Sequence, residues 1–483
     1  MDLRQALKRY FGFEEFRRGQ QTVIEAQLAG RDALLVMPTG GGKSLCFQLP
    51  ALLRDGVTFV ISPLIALMKD QVDALEARKL PATFLNSSLT PKELRERMNA
   101  VKQGDYKLVY VAPERFDSVN FREYVKTLNV KGLVVDEAHC VSQWGHDFRP
   151  DYRKINRIRR LLGNPPTVGC TATATGLVRD DIVQQLGMVD PLVLVTGFDR
   201  PNLALKGRFC SSNQIKDAAL ENMALEMMFE EKTPSAVWYC ITRKSTYDLA
   251  KVLNAVGSRR GCFNVAQAYN AEMPPEERKK IQDNFLSGKT PWIVATIAFG
   301  MGIDKPDIRY VIHATIPASV EAYYQEVGRA GRDGKPSKCF LYYSDSDIVT
   351  REYFIAISHP PVGVFRDTLR YLHRALPKNG TSLRTTYENV SWDVGGGNGV
   401  IRGQVSTCLT LLKHKGVFKQ PRRGYMMLDT KGEQQLPVEA LGLDFDDIQR
   451  RKKLEEERLV KVKKLVKANN KKQFILRYFG DTK

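Results

Sequence analysis

Short apolar runs alternate with polar or amphipathic stretches through the first two-thirds of the chain. Such runs are too short for buried helices and too uniformly apolar for a half-exposed antiparallel sheet. The alternation therefore predicts an α/β fold built on parallel sheets. The runs form two groups, residues 33–37, 57–62, 108–112, 132–135 and 167–170, then residues 235–240, 265–269, 292–296, 310–314 and 339–343.

The two groups of runs predict two lobes of the same class, which we place at residues 1–200 and 201–350. The segment Phe198-Asp199-Arg200-Pro201-Asn202 connects them. We interpret this proline-containing segment as a hinge that would let the two lobes move against one another.

The pattern changes after residue 350, and we assign residues 351–435 to a further domain. Helical patterns at residues 364–376 and 404–413 precede a hairpin at residues 417–428, which turns at Arg422-Arg423-Gly424. Helices followed by a basic hairpin predict a DNA-binding winged helix, with a plain helical bundle as the alternative.

The remaining residues, 436–483, form a basic tail that we predict to be helical. Leu459, Val462 and Val466 recur at helical spacing, so one face of the tail should dock while the other stays in water.

The chain carries 73 lysines and arginines against 54 acidic residues, a net charge of +19. An excess of this size favours a polyanionic partner, because each neutralised phosphate releases a counterion. A generally solvated basic surface is the alternative, and charge alone does not separate the two.

The cysteines stand singly, without a Cys-x-x-Cys pair, so neither a zinc site nor a disulfide framework is expected. The sequence contains no secretory apolar segment at its start and no apolar stretch of 18 residues. We therefore expect a soluble intracellular protein without a membrane partner.

A glycine-rich loop follows the first apolar run and opens a helix, which is typical of phosphate binding at a helix N-terminus. Lys43 would supply charge to the β- and γ-phosphates and Ser44 would ligate Mg²⁺. The strict motif has glycine where Met37 stands. The candidate phosphate-binding residues are Thr39, Gly40, Gly41, Gly42, Lys43 and Ser44.

Asp136-Glu137-Ala138-His139 follows another buried strand, at the edge where parallel sheets bind ligands. Asp136 should orient the hydration shell of Mg²⁺, and Glu137 should polarise the attacking water. From the second lobe, Gln325, Arg329 and Arg332 suit the diffuse charge of phosphoryl transfer. These arginines would reach a γ-phosphate when the cleft closes, so hydrolysis would be coupled to lobe movement.

These motifs resemble the RecQ family of DNA helicases, within the second helicase superfamily, and the resemblance covers residues 11–343. Phe11-Gly12-Phe13 and the following Phe16–Gln20 stretch are similar to the family's adenine-binding motif, with Arg18 where the family usually has proline. The resemblance implies that Phe13 stacks on the base while Arg17 and Gln20 contact it.

The segment from Cys140 to Pro150 resembles the aromatic-rich loop that links single-strand binding to ATP hydrolysis in this family. Trp144 and Phe148 offer stacking faces, and Arg149 places charge beside them. The resemblance further assigns DNA contact or interlobe coupling to segments that include residues 62–71, Arg115, residues 171–173, Arg243, Thr296 and residues 302–306.

The resemblance weakens at the C-terminal side. RecQ enzymes commonly carry a four-cysteine zinc module before a winged helix. Residues 473–481 resemble the beginning of that module, but Asn470 stands about where its first cysteine would be, and the winged segment precedes this remnant. We therefore do not expect zinc.

The resemblance implies an ATP- and Mg²⁺-dependent DNA helicase that moves 3′ to 5′ on single-stranded DNA and acts on tailed or branched DNA in repair and recombination. A DNA-stimulated translocase or annealing factor with weak strand separation is the alternative, and a non-catalytic DNA scaffold is a third class. Localisation would be the nucleoid in a bacterium or the nucleus in a eukaryote, and the sequence names no protein partner.

Overall fold

The computed structural model describes residues 2–230, 233–300, 305–376, 382–420, 426–428 and 438–481. The chain divides into two compact units. The larger unit comprises Met1–Cys210, Gln214–Tyr343 and Leu465–Lys483, and the smaller unit comprises Ser211–Asn213 and Ser344–Lys464. The predicted domain boundaries at 200, 350 and 435 stay predictions.

The first sheet of the larger unit is parallel throughout, with strand order β3-β4-β2-β5-β6-β1-β7. Its strands are β1 (Ala33–Val36), β2 (Val57–Ile61), β3 (Ala82–Leu85), β4 (Leu108–Val111), β5 (Val130–Val135), β6 (Thr167–Thr171) and β7 (Leu192–Val195). The predicted runs are present with ends shifted by one or two residues. The sequence reading missed β3 and β7.

The helices of this lobe are α1 (Leu3–Phe11), α2 (Gln20–Leu28), α3 (Leu45–Leu53), α4 (Ile65–Glu76), α5 (Pro91–Gln103), α6 (Val119–Lys126), α7 (Ile155–Leu161) and α8 (Gly176–Gln185). Helix α3 is apolar on nearly every side and is buried along most of its length, as expected for a helix inside the core. Its N-terminus is thereby fixed at the carboxyl end of β1, directly after the glycine-rich loop.

The second sheet is also parallel, with order β10-β11-β9-β12-β13-β8. Its strands are β8 (Leu203–Phe209), β9 (Ala236–Tyr239), β10 (Ala266–Tyr269), β11 (Trp292–Ala295), β12 (Tyr310–His313) and β13 (Ser337–Tyr343). Helices α9 (Asn213–Met228), α10 (Arg243–Ser258), α11 (Pro275–Leu286) and α12 (Val320–Val327) connect them. Two parallel-sheet lobes confirm the predicted fold class. Edge strand β8 was missed because most of its side chains are exposed.

The smaller unit combines helices with a short antiparallel sheet of order β14-β16-β15. Its elements follow in the order α13 (Asp345–Ser358), α14 (Val362–Ala375), β14 (Ser382–Leu383), α15 (Tyr387–Gly395), α16 (Gly399–His414), β15 (Phe418–Lys419) and β16 (Met426–Leu428). Phe365, Leu369, Val405 and Leu412 form part of its core. The predicted hairpin is present as β15 and β16, and its turn at residues 422–424 lies outside the described residues.

Helix α17 (Phe445–Lys467) and helix α18 (Lys471–Phe479) follow. Leu459, Val462 and Val466 are all buried, which confirms the predicted docking face. Across the described ranges, the helices are each too short or too polar to span a bilayer.

Candidate nucleotide and nucleic-acid site

Residues of both lobes line one cavity of about 540 Å³ at the carboxyl ends of the strands. Parallel sheets bind ligands at this edge because loops and helix N-termini converge there. The cavity brings together Phe13, Arg17, Gln20, Thr39, Gly40, Gly42, Lys43, Ser44, Asp136, Glu137, Gln325, Arg329 and Arg332. Each of these was a candidate from sequence, whereas Gly41 is not among the lining residues.

The glycine-rich loop between β1 and α3 needs its glycines for two different reasons. Gly42 has φ 85°, and a Cβ there would lie 2.5 Å from Nε2 of Gln20. A Cβ on Gly41 would lie 2.5 Å from the Met37 side chain. Met37, where the strict motif has glycine, therefore packs onto the loop instead of opening it.

Arg17 and Gln20 hold this loop from the α2 side. Arg17 donates from Nη1 to the carbonyl of Gly40 at 2.6 Å, and Gln20 donates to the carbonyl of Gly42 at 3.1 Å. Gln20 also accepts from the backbone N–H of Arg17 at 2.8 Å. The segment that resembles the adenine-binding motif is thus hydrogen-bonded to the glycine-rich loop, a contact that the sequence pattern did not predict.

Lys43 and the acid pair form the charged centre of the cavity. The ammonium of Lys43 donates to the carbonyls of Met37 and Pro38 at 2.9 and 3.3 Å. Burial lowers the pKa of Lys43, and the charges of Glu137 and Asp136 oppose that shift. Burial, reinforced by the charge of Glu137, raises the pKa of Asp136 to about 7. A cation beside Asp136 would favour its ionised form.

Glu137 has a left-handed backbone with φ 47°, which is uncommon for a residue with a side chain. Its Oε2 is buried and makes no hydrogen bond within the described part of the chain, although Nδ1 of His139 lies 3.3 Å away. A strained backbone at a residue that lines a cavity is a feature of functional sites.

The second lobe contributes through α12 and the turn after it. Gln325 donates to the Thr173 hydroxyl of the first lobe at 3.2 Å. Arg329 is buried and donates to the carbonyl of Gly300. Arg332 lies beside the glycine-rich loop, since a Cβ on Gly40 would be 3.7 Å from its Cγ. The two arginines therefore occupy different environments, which the motif alone could not distinguish.

The aromatic-rich loop follows the acid pair directly. Trp144 is 42% exposed, and the guanidinium of Arg153 stacks 5.0 Å over the ring of Phe148. Arg149 forms an ion pair with Asp147 at 3.2 Å and donates to a backbone carbonyl at 2.9 Å. Trp144 is thus the most exposed of these three side chains.

Histidines connect this loop to the site. The rings of His139 and His146 stack with centroids 4.3 Å apart, and Gln325 lies near enough to His146 to act on its pKa. Burial lowers the pKa of each imidazole to about 4, so both are neutral at pH 7. The aromatic-rich loop therefore contacts a candidate residue of the second lobe.

A metal ion could in principle use side chains next to this loop. Ligand atoms of His139, Cys140 and Asp147 lie within 4.8 Å of one another. Asp147 is already paired with Arg149, so a cation there would compete with an existing guanidinium.

Asn470, which stands where the zinc module of the family has its first cysteine, accepts from the backbone N–H of Gln473 at 2.9 Å and caps α18.

Three candidates for DNA contact lie away from the cavity lining. Arg115 stacks 5.4 Å over Phe121, Arg243 pairs with Glu272 at 3.2 Å, and Thr296 is the residue after β11. Conversely, sequence reasoning missed lining residues of the cavity. These are Glu15, Leu45, Leu67, Asp70, Gln71 and Ala74.

Two parallel sheets that share a glycine-rich phosphate loop, an acid pair and an arginine motif define a DEAD/DEAH-class helicase. Residues 17–181 match the DEAD/DEAH box helicase family, and residues 216–334 match the helicase conserved C-terminal domain. The chain is 39% identical to the probable ATP-dependent DNA helicase RecS of Bacillus subtilis, over 79% of this chain and 75% of that protein. The chain belongs to the RecQ family of helicases.

A second relative is the ATP-dependent DNA helicase RecQ of Bacillus subtilis, with 43% identity over 72% of this chain. The match spans 57% of that protein, little more than half of its length. The structure of the Mycobacterium smegmatis helicase Lhr bound to ssDNA and AMP-PNP superposes with TM-score 0.58 and 18% identity, over 88% of this chain and 60% of that chain. This last likeness concerns the fold alone.

Proposed function

We propose that this chain is an ATP- and Mg²⁺-dependent DNA helicase that moves 3′ to 5′ along single-stranded DNA. One observation carries the proposal: Lys43, Asp136 and Glu137 of one lobe line the same cavity as Gln325 and Arg332 of the other. A site divided between two lobes makes turnover depend on their relative position, which is how a motor converts hydrolysis into movement.

The residues present fit a nucleoside triphosphate with Mg²⁺. The loop around Gly42 has the backbone bend that directs N–H groups toward phosphates. Lys43 provides a partly buried cation, while Ser44 and Asp136 provide the oxygen ligands that Mg²⁺ prefers. Bound Mg²⁺ would neutralise charge on the phosphates. Phe13 is 49% exposed at the cavity and is available to stack on a base.

On this proposal the carboxylate of Glu137, a residue that lines the cavity, orients the attacking water and accepts its proton. Lys43 holds the phosphate oxygens, and Arg332 stabilises the charge that develops during transfer. Gln325 hydrogen-bonds to Thr173 of the other lobe, a contact that forms only when the lobes are close together.

We propose DNA as the partner from the net charge of the chain and from the exposed side chain of Trp144. The net charge of +19 favours a phosphate backbone. Trp144 offers a face on which bases of any sequence can stack. Its loop reaches Gln325 through His146, which supports coupling between strand binding and hydrolysis. Tailed or branched DNA in chromosome maintenance follows from the family.

For the smaller unit we propose a winged-helix role in duplex binding. Two observations on the described residues support this assignment over a plain helical bundle. The unit contains a three-stranded antiparallel sheet, and its elements follow in the order α14, β14, α15, α16, β15 and β16.

The test is steady-state ATP hydrolysis with no nucleic acid, single-stranded DNA, duplex DNA or RNA, together with unwinding of 3′-tailed and 5′-tailed duplexes. We expect strong stimulation by single-stranded DNA and unwinding of the 3′-tailed duplex alone. Stimulation by RNA in place of DNA, or unwinding from a 5′ tail, would contradict the proposal.

A translocase or annealing factor with weak strand separation is the second candidate. Asn470 caps a helix at the position where the zinc module of the family begins, so duplex separation would lack that module's support. DNA-stimulated turnover without unwinding of either tailed duplex would favour this candidate. Absence of turnover would revive the scaffold class.

A further inference from the structure

Arg200, in the linker between the lobes, bonds to both halves of the nucleotide cavity. Its Nη1 donates to the carbonyls of Thr39 at 3.1 Å and Gly328 at 3.3 Å. Its Nη2 donates to the carbonyls of Ala330 at 2.9 Å and Gly331 at 3.1 Å. Thr39 belongs to the phosphate loop, and the other carbonyls belong to the turn that carries the arginine motif. A planar guanidinium is suited to fixing several acceptors at once.

The same linker is held by helix α18 and by Asp481, which lies two residues after that helix. The Phe198 ring stacks on Phe479 with centroids 4.4 Å apart and planes 10° apart. The backbone N–H of Phe198 donates to a carboxylate oxygen of Asp481 at 2.7 Å. Asp199 pairs with Lys472 at 2.6 Å. The linker is therefore fixed by stacking, a charge-assisted hydrogen bond and an ion pair.

Helix α18 is itself anchored independently of the linker. The hydroxyl of Tyr478 donates to Glu321 of α12 at 2.6 Å. The ammonium of Lys471 donates to the carbonyls of Val466 and Ala468 at 3.2 and 2.9 Å. Because α18 has these supports, it can act as a fixed base for the linker.

We infer that α18 is a positioning element of the ATP site: Asp481 and Phe479 hold the linker so that Arg200 joins the phosphate loop to the arginine turn. Arg200 and Asp481 are positioning residues, because their contacts are to protein carbonyls and N–H groups. This inference rests on the proposed ATPase function. It gives the segment that resembles the zinc module a role in hydrolysis that requires no metal.

The expected kinetic signature is a change in kcat rather than in nucleotide affinity. A nucleotide can bind the phosphate loop without the second lobe, whereas transfer requires Arg332 at the correct place relative to Lys43. A misplacement of about 1 Å far from the chemistry can lower the rate about 10²-fold. Loss of the Arg200 contacts should therefore lower kcat and leave KM for ATP nearly unchanged.

A double-mutant cycle on the full chain tests this route. Arg200→Ala should lower DNA-stimulated kcat about 30-fold, and Asp481→Ala about 5-fold, each with KM within about 3-fold. If Asp481 acts through Arg200, adding Asp481→Ala to Arg200→Ala should cause almost no further loss. Full additivity of the two effects would overturn the inference.

Conservative and matched variants separate positioning from stability. Asp481→Asn keeps a side-chain oxygen that accepts from Phe198, so it should retain most of kcat, while Arg477→Ala, on the exposed face of α18, should match the parent protein. Loss of kcat in Asp481→Asn equal to that of Asp481→Ala would contradict the hydrogen-bond route. Equal losses in Arg477→Ala would show a general effect of the helix.

Amide hydrogen exchange keeps the inference testable apart from turnover. Asp481→Ala should raise exchange at Phe198 and in the turn 328–331, while strand β6 stays protected. If the parent protein hydrolyses no ATP, the proposed function fails, and the exchange result still decides whether α18 holds the linker. Unchanged exchange in the turn would overturn the inference in either case.

Discussion

The two parallel sheets of the larger unit contribute different chemistry to one site. The first ends in the glycine-rich loop and the acid pair, for which we propose phosphate binding and the ordering of water. The second contributes α12 and the turn that carries Arg329 and Arg332, for which we propose stabilisation of the charge that develops during transfer. On this proposal, nucleotide binding and turnover depend on different lobes. Substitutions in the first sheet should remove both properties, and substitutions in the second should remove turnover alone.

The largest effect is expected at Lys43. Lys43→Ala removes the ammonium that we assign to phosphate binding, so turnover should fall about 10³-fold or more and nucleotide binding should weaken as well. Steady-state hydrolysis and fluorescent-nucleotide titration measure the two properties. Lys92→Ala, at an exposed position of α5, is the matched control. Nucleotide affinity equal to that of the parent protein would contradict the assignment of binding to the first lobe.

Arg332→Ala should separate the lobes most clearly. We expect kcat to fall about 10²–10³-fold while nucleotide affinity changes by only a few-fold, because the arginine acts on charge formed during transfer. Arg332→Lys keeps the charge without the planar fork and should recover part of the rate. If nucleotide affinity falls as much as kcat does, both lobes contribute to nucleotide binding, and the assignment of turnover alone to the second lobe is wrong.

Trp144→Ala should have a smaller and more selective effect. The loss of one stacking face costs about 1–3 kcal/mol per base, so DNA stimulation of hydrolysis should fall about 10-fold while nucleotide binding stays intact. Trp392→Ala replaces another exposed tryptophan, which lies in the smaller unit, and serves as the comparison. Full DNA-stimulated turnover in Trp144→Ala would remove the coupling role of the aromatic-rich loop.

The smallest effect on turnover is expected at the N-terminal ends of the strands of the first sheet, on the side away from the nucleotide cavity. Buried Asp32 pairs with Arg159 at 2.7 Å and accepts from the N–H of Thr167 at 2.8 Å. Asp32→Ala leaves a buried guanidinium without its partner, so stability should fall by about 3 kcal/mol while kcat at low temperature stays within about 2-fold.

Urea unfolding and hydrolysis assays measure these two quantities, with exposed Asp105→Ala as the control. A kcat loss as large as that of Arg332→Ala would show that the N-terminal strand ends also shape the site.

The sequence predicted those parts of the molecule in which local pattern and burial agree. The central strands are apolar because both of their faces are covered, and the acid pair and glycine-rich loop follow such strands directly. Strand β7 was missed because its side chains alternate between partly buried and exposed at the sheet edge. Strand β3 was missed although its four residues are all buried, as they are in the predicted strand β1.

The contacts of Arg200 could not be predicted, because their acceptors are backbone carbonyls and carbonyls leave no pattern in a sequence. The neighbours of Phe198 were hidden for another reason. Its ring stacks on a residue that no periodicity connects to the linker. The interpretation of the linker as a hinge stays a prediction, and the structure adds the partners that Phe198 and Arg200 have on both sides.

The hydrogen bond between Phe198 and Asp481 joins positions 283 residues apart in the chain. Loop-closure entropy grows with the length of the segment between two contacts, so this one is expected to form late in folding. During synthesis the ribosome would release every motif of the nucleotide site well before the residues that brace the linker. A nascent chain would then carry a complete set of motifs on a linker that still lacks its support.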